Sequence, residues 1–423
     1  MLMRTFVCLA TIAAAAVFAC SSEESAPASN ADAGADVQAV ACPAGYAECD
    51  GNPGTLCETR IEADPTSCGA CGKTCPAGVA HQRPVCTSGQ CALECESGFV
   101  DCDHDPANGC EQTESLCGVT VLADLTAPGG IAVDDAFVYY AAKGTPPDYV
   151  DGIVYRVPKD GSAASLPIAT ALHRPISITI VGDLVYAMNT SSTGQSDGSI
   201  VSFPKGGGGP VTTIASGLSS PNNVVVSGDL LYFTTRESPS GTIRVTKKDG
   251  SDPTTSIVVP SIANPDDLQV TSDALVWVAS GDPDGGSPAV ERALLDGGSR
   301  VLLTNTIPMP SFRTAITSDS IFVGSRANGT VKRVSLAGGG TPAQVTDARG
   351  EVNEIIVDGT QLFATTATGQ RVIVAPVSGG PAVAIASGQK YPSYLAVDAE
   401  SVYFTDGPLL GAATIRKVKR PSP

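Results

Sequence analysis

Seven residues stand at one recurring place in this 423-residue chain, each just ahead of an aliphatic run: Gly130, Ser177, Asn223, Asp267, Arg313, Glu354 and Tyr394. Their chemistry changes from copy to copy. Asn223, Asp267 and Glu354 offer amide and carboxylate oxygens, the ligands that calcium and magnesium prefer. Arg313 suits a carboxylate or phosphate. Tyr394 suits a sugar ring, or shields a site from water. The preceding position varies as much (Gly129, Ile176, Asn222, Asp266, Phe312, Asn353, Ser393), whereas the third position after it in each copy is always aliphatic: Val133, Ile180, Val226, Val270, Ile316, Val357 and Val397. Variety ahead of uniformity predicts a ligand-facing ring above a structural core. The expected ligand-binding set is Asn223, Asp267, Arg313, Glu354 and Tyr394, with Asn223, Asp267 and Glu354 as the set for a calcium or magnesium ion.

Little else carries catalytic chemistry. The three histidines, His81, His104 and His173, are scattered, and only His173 lies beyond residue 117. There is no phosphate-binding loop, no G-x-S-x-G and no H-E-x-x-H. "GGGG" (206–209) reads as a turn. The net charge of −17 argues against nucleic acid and against anionic membrane surfaces, both of which need clustered Lys and Arg.

The cysteines imply cross-links. Of 14, Cys8 and Cys20 lie at the N-terminus, and the other twelve are Cys42, Cys49, Cys57, Cys68, Cys71, Cys75, Cys86, Cys91, Cys95, Cys102, Cys110 and Cys117. An even, confined set in an exported chain reads as disulfides, with the pairing open. Zinc at Cys68, Cys71 and Cys75 is the competing reading. The segment is duplicated: "CPAGYAECDGNPGTLCE" (42–58) and "CESGFVDCDHDPANGCE" (95–111) share the cysteine spacing of seven then eight. Between them, the Cys-Gly-x-Cys-Gly-x-x-Cys core resembles the modules of Stig1-like extracellular proteins. That resemblance implies a disulfide module, not an enzyme.

The N-terminus begins "MLMRTFVCLATIAAAAVFAC", with Arg4, an apolar run and Cys20. The run is too short to span a membrane and suits a secretion signal. "VFAC" (17–20) resembles the lipobox of bacterial lipoproteins, which implies lipidation of Cys20. Residues 1–19 are then a signal peptide. Residues 20–41, small, polar and acidic, are expected to be a disordered tether.

What positions the seven residues is a repeat filling 118–423. Each unit holds an apolar strand, a turn, and a strand with an aromatic, aligned as Tyr139, Tyr186, Tyr232, Trp277, Phe322, Phe363 and Tyr403. A third strand, a Gly-rich turn such as "KDG" (159–161), and a fourth strand follow. Seven units of four strands predict a β-propeller. The last unit has room for three strands only, and "VTVLADLTAP" (119–128) matches the fourth strand of other units. It should pair with the C-terminal blade and close the ring. The "VYFTD" run (402–406) resembles YWTD, NHL and SMP-30-like propellers, although those commonly have six blades. In SMP-30-like lactonases, Asn, Asp and Glu near this place hold a divalent metal, so the resemblance implies such a role for Asn223, Asp267 and Glu354. The WD40 signature is missing, the single Trp being Trp277.

The expected protein is therefore all-β: a seven-bladed propeller (118–423) closed by an N-terminal strand and preceded by a small disulfide-rich duplicated module (42–117). Its expected role is non-catalytic binding of a protein or carbohydrate ligand by a monomer. The lipid should be its sole membrane attachment, in a bacterial envelope, at the outer membrane or cell surface. The alternative is an exported propeller enzyme, a metal-dependent lactonase-like hydrolase or a lyase.

Overall fold

The computed structural model describes residues 42–422 except 53, 98, 100, 102–108, 111–118, 191–195, 237–239 and 282–286. The signal peptide, the tether, Cys20, Cys102 and Cys117 lie outside the described residues. Among those described there is no helix.

A hairpin, β1 (Gln82–Thr87) and β2 (Gln90–Cys95), precedes β3 (Thr120–Thr126). Blade one is β4 (Pro128–Val133), β5 (Phe137–Ala142), β6 (Gly152–Pro158) and β7 (Leu166–Leu172). Blade two is β8 (Pro175–Val181), β9 (Leu184–Asn189), β10 (Gly198–Pro204) and β11 (Thr212–Leu218). Blade three is β12 (Pro221–Ser227), β13 (Leu230–Thr235), β14 (Gly241–Lys247) and β15 (Ser256–Ile262). Blade four is β16 (Pro265–Val270), β17 (Ala274–Ala279), β18 (Ala289–Leu294) and β19 (Val301–Thr304). Blade five is β20 (Ala315–Ile316), β21 (Ser320–Gly324), β22 (Thr330–Ser335) and β23 (Ala343–Asp347). Blade six is β24 (Val352–Asp358), β25 (Gln361–Thr366), β26 (Arg371–Pro376) and β27 (Val383–Ala386). Blade seven has β28 (Pro392–Val397), β29 (Ser401–Asp406) and β30 (Ala412–Lys419), and its fourth strand is β3. Thr120 pairs with Lys417 and Thr126 with Ala412. The ring closes as the sequence predicts, and closure covers the strand edge that β30 would otherwise expose.

Local chemistry makes the hairpins. Asp134 accepts the Ala136 and Phe137 N–H groups at 3.0 and 2.9 Å, and the Tyr139 hydroxyl at 2.9 Å. Asp398 repeats this with Glu400, Ser401 and Tyr403 at 2.8, 2.8 and 3.0 Å. The recurring Val-Asp…Val-Tyr phrase thus encodes a turn and anchors its aromatic. It also ties blades together: Lys159 reaches Asp398 at 2.5 Å and Lys205 reaches Asp134 at 3.2 Å. Between third and fourth strands, Gly161, Gly207, Gly250 and Gly297 hold φ of 71°, 76°, 71° and 85°, which a side chain would resist.

The core is seven apolar slabs, one per blade interface. Each of the aligned aliphatics, from Val133 to Val397, packs against a different slab. Six aligned aromatics face the following blade, but Trp277 faces the preceding one, beside Tyr232. The alignment is corrected by one residue here. Pro265 pairs with Ala279 as Pro221 pairs with Thr235, so Val276 takes the place of Tyr232, and Trp277 that of Phe233. Alternation in a strand makes a one-residue shift a change of face.

The module is held by Cys42–Cys57, Cys49–Cys71, Cys68–Cys86, Cys75–Cys91 and Cys95–Cys110. The first-to-third pairing recurs in both copies of the duplication. Cys68 and Cys75 are in disulfides rather than free to ligate zinc, and so is Cys71. Glu94 on β2 receives Arg83 at 2.8 Å, Arg349 at 2.5 Å and Arg371, fixing the module to blades five and six. Arg349 also donates to Thr87 at 2.7 Å.

Candidate functional site

Each inner strand opens irregularly. In blades one, two, three, four, six and seven the ladder slips just after the first residue, which is proline in all but blade six. Such a bulge re-aims one side chain and frees a backbone group. The freed Asn223 N–H donates to Thr234 Oγ1 at 3.1 Å, and the Tyr394 N–H to Thr405 Oγ1 at 3.0 Å. Buried threonines at the ends of second strands therefore serve the bulges. Blade five carries one extra residue, so Arg313 stands three places after Pro310, where the other ring residues stand two after the first strand residue.

The predicted residues meet across blades. Asn223 Nδ2 donates to Asp267 Oδ1 at 2.6 Å. Asp267 Oδ2 accepts the Thr314 N–H at 2.8 Å, the Thr314 hydroxyl at 2.6 Å and Gln269 at 3.1 Å. Arg313 lies 3.7 Å from Asp267 and reaches the Asn222 carbonyl, two blades away, at 3.4 Å. Glu354 Oε2 accepts the Leu395 N–H at 3.2 Å. Gly130 and Ser177 complete the ring with little or no side chain. A Cβ at Gly129 would come within 2.5 Å of the Pro175 carbonyl, so blades one and two approach too closely for one.

Burial drives the titrations. It pushes the Glu354 carboxyl up to about 8; Asp267 adds to the rise, while Arg313 and the Leu395 N–H oppose it. Burial also raises the Tyr394 hydroxyl, with Arg313 and Arg174 pulling the other way. Asp267 is served by protein donors on both oxygens. A cation joining Asn223, Asp267 and Glu354 would have to displace some of them.

Two groups of residues at this mouth escape the sequence reading. Lys143 and Arg236 immediately follow second strands, and each donates its N–H to the carbonyl of the residue before the inner strand of its own blade: Lys143 to Ala127 at 2.9 Å, Arg236 to Ser220 at 3.1 Å. Thr190, Ser280, Arg326, Ala367 and Gly407 repeat this bond, at a position whose residue types share no pattern. Ala127, Arg174, Ser220, Asn264 and Met309 each precede proline with φ between 43° and 52°. That left-handed backbone is disfavoured for such residues. Arg236 pairs with Asp266. Burial, then Arg313, bring its guanidinium down to about 10. Burial lowers the Lys143 ammonium to about 8, helped by Arg174.

No protein-family profile matches the chain, and no curated protein matches its sequence. The likeness is to solved structures. Virginiamycin B lyase from Staphylococcus aureus superposes with TM-score 0.53 at 16% identity, covering 70% of this chain and 98% of that one. A catalytically inactive variant of the Staphylococcus aureus enzyme with quinupristin gives 0.51 at 16% identity, covering 70% and 96%. A streptogramin B lyase gives 0.51 at 12% identity, covering 69% and 94%. The chain shares their fold. At these identities the likeness extends to the fold alone, which many activities use.

Proposed function

We propose that this is an extracytoplasmic binding protein, held by a lipid on Cys20 to a bacterial envelope membrane, whose propeller offers its axial mouth to a protein or carbohydrate ligand without turning it over. One observation carries the reading. Chemically unlike side chains from five blades, Asn223, Asp267, Arg313, Glu354 and Tyr394, are gathered at one mouth. A channel that is only structural needs no such variety. Val150, Met309, Phe312, Leu409 and Leu410, all exposed, lie on loops of the same face and supply apolar contact around the polar centre. His173, the one histidine in the propeller, is exposed between β7 and β8 rather than in the ring. Five disulfides support an oxidising compartment.

The test is a thermal-shift screen of the purified chain with sugars, lactones and peptidoglycan fragments. A ligand should raise the melting temperature, and Arg313→Ala or Tyr394→Ala should abolish the response in a folded protein. Binding that survives both variants overturns the axial reading. Replacing Cys20 with Ser should move the protein from membrane to soluble fraction.

A second reading, metal-dependent hydrolase or lyase, is favoured by the Oδ1 atoms of Asn223 and Asn353, buried without hydrogen-bond partners among the described residues. Stoichiometric calcium or magnesium, lost on joint Asp267→Ala and Glu354→Ala replacement, would establish the metal, and turnover of a lactone would establish the enzyme.

A further inference from the structure

We infer that the axial mouth binds an oxyanion, a carboxylate or phosphate group of its ligand, through Lys143 and Arg174; this deepens the binding role proposed above and rests on it. The cations of this face divide into two kinds. Arg313 has Asp267 at 3.7 Å, Arg326 has Glu351 at 2.9 Å, and Arg236 has Asp266. Lys143 and Arg174 have no carboxylate among the described residues. Lys143 is only 7% exposed, and no hydrogen-bond acceptor among the described residues meets its ammonium, which lies 5.7 Å from the centre of the Tyr394 ring. The Arg174 guanidinium lies 4.8 Å from the centre of the Tyr149 ring, with its Nε buried and without a hydrogen-bond partner among the described residues.

A buried ammonium without a counter-charge is costly, and a second cation beside it adds to the cost. Burial first, then the Arg174 charge, disfavour the charged form of Lys143. An oxyanion between them supplies the missing counter-charge. It accepts from the three ammonium protons and from the guanidinium, where desolvation strengthens charge-assisted hydrogen bonds. Tyr394, whose hydroxyl burial keeps protonated, can serve as a further donor. Blade one contributes Gly130 at its ring position, so no side chain from that strand competes for the place. Of the acids of the same ring, Asp267 lies 3.7 Å from Arg313 and Glu354 is acted on by Arg313, whereas neither pairs with Lys143 or Arg174 among the described residues. The expected ligand is therefore anionic at the end that enters.

The experiment titrates the purified full chain with sodium phosphate, sodium sulfate and sodium succinate against sodium chloride of matched ionic strength, by calorimetry and thermal shift. At least one oxyanion should bind saturably. Lys143→Met and Arg174→Gln should each weaken it tenfold or more, and Lys143→Met should melt no lower than the parent in chloride. Sulfate, whose charge is constant, should bind more weakly at pH 9.5 than at pH 7 as Lys143 loses its proton. Response to succinate alone indicates a carboxylate ligand; response to phosphate and sulfate indicates a phosphate ester. The inference is overturned if none of the three binds saturably, or if binding is equal in the parent and both variants. A neutral sugar lost in Tyr394→Ala but indifferent to Lys143→Met would also overturn it, while leaving the axial binding role intact.

Discussion

The disulfide-rich module and the propeller stabilise similar strand-and-turn material by opposite means. The module's buried apolar cluster is Cys68, Cys75 and Cys86, with Cys91 partly covered, so its core is made of its own cross-links. The propeller contains no cysteine and buries seven apolar slabs, each shared by two blades. A short segment cannot remove enough apolar surface from water to offset its chain entropy, whereas a closed ring of blades can. Cross-linking acts chiefly on the unfolded chain, and slab packing acts on the folded one. The two regions should therefore fail under different insults.

The largest effect should come from opening the ring. Deleting Thr120–Thr126 strips β30 of its partner and removes Leu122, Ala123 and Leu125 from the slab between blades seven and one. Two leucines at about 1.5–3 kcal/mol each set a loss of roughly 3–6 kcal/mol. Calorimetry should show the whole propeller melting earlier; an unchanged melting temperature would mean that blade seven does not need its fourth strand.

Reduction should do the converse. The five bridges span 15, 22, 18, 16 and 15 residues. Loops of that size are worth about 3 kcal/mol each. Under a phosphine reductant, hydrogen exchange should quicken throughout β1 and β2, while the propeller transition stays within a degree or two. Before reduction, peptide mapping should find all twelve cysteines paired, Cys102 and Cys117 included. Zinc with free thiols, or a propeller that melts with the module, would break the contrast.

The joint between the regions gives a smaller effect. Glu94 is 10% exposed in its side chain and answers three guanidiniums, from Arg83, Arg349 and Arg371. Glu94→Gln keeps the shape and removes the charge, leaving three cations to repel. Hydrogen bonds to charged groups contribute about 1.5–3 kcal/mol, so docking should weaken by about 2 kcal/mol. Faster protease cleavage of the module, with propeller melting unchanged, is the expected readout. Equal cleavage would mean that Gln344, which donates to Ser88 at 2.6 Å, and the Thr87 contact suffice.

The repeat was legible because turns and aromatics recur along the chain at nearly constant spacing, and closure followed from counting strands. What spacing could not reveal was which side of a strand an aromatic faces. Trp277 looked equivalent to Tyr232 until pairing moved it one place. The disulfide set was legible as a set, but pairing depends on folding that no spacing states. The ring residues were found because they vary where their neighbours do not. Lys143 and Arg174 were missed because they lie outside that alignment, on the connections, and join the ring only when backbone bonds such as Lys143 N–H to Ala127 draw those connections inward. Thr314 stands where other blades have an apolar residue; its N–H serves Asp267 as the Leu395 N–H serves Glu354, and its hydroxyl adds a second bond that an apolar residue cannot make.

The smallest effect concerns the sign of pH dependence, where one buried ring acid differs from the turn carboxyls of both regions, Asp134 and Asp398 of the propeller being lowered as those of the module are. In the module, Asp50 is held below the usual range first by the Asn52 N–H, Glu58 by backbone N–H groups, and Asp64 first by the Thr66 hydroxyl. Carboxyls lowered by folding support it above their unfolded values and lose that support as pH falls through their folded values. Glu354 runs the other way. Its folded value of about 8 lies above the ordinary 4.5, so between these the folded state holds a proton that the unfolded state releases. Stability should then fall as pH rises from 4.5 to 8, by at most about 1.4 kcal/mol per unit. Arg313 opposes the rise, which makes the slope shallower. Glu354→Gln removes the titrating group and keeps the acceptor for the Leu395 N–H. The variant should match the parent near pH 5 and melt a few degrees higher near pH 8. A constant difference across that interval would mean that Glu354 is ionised against Arg313 throughout, and that the ring, like the turns, keeps its acids charged.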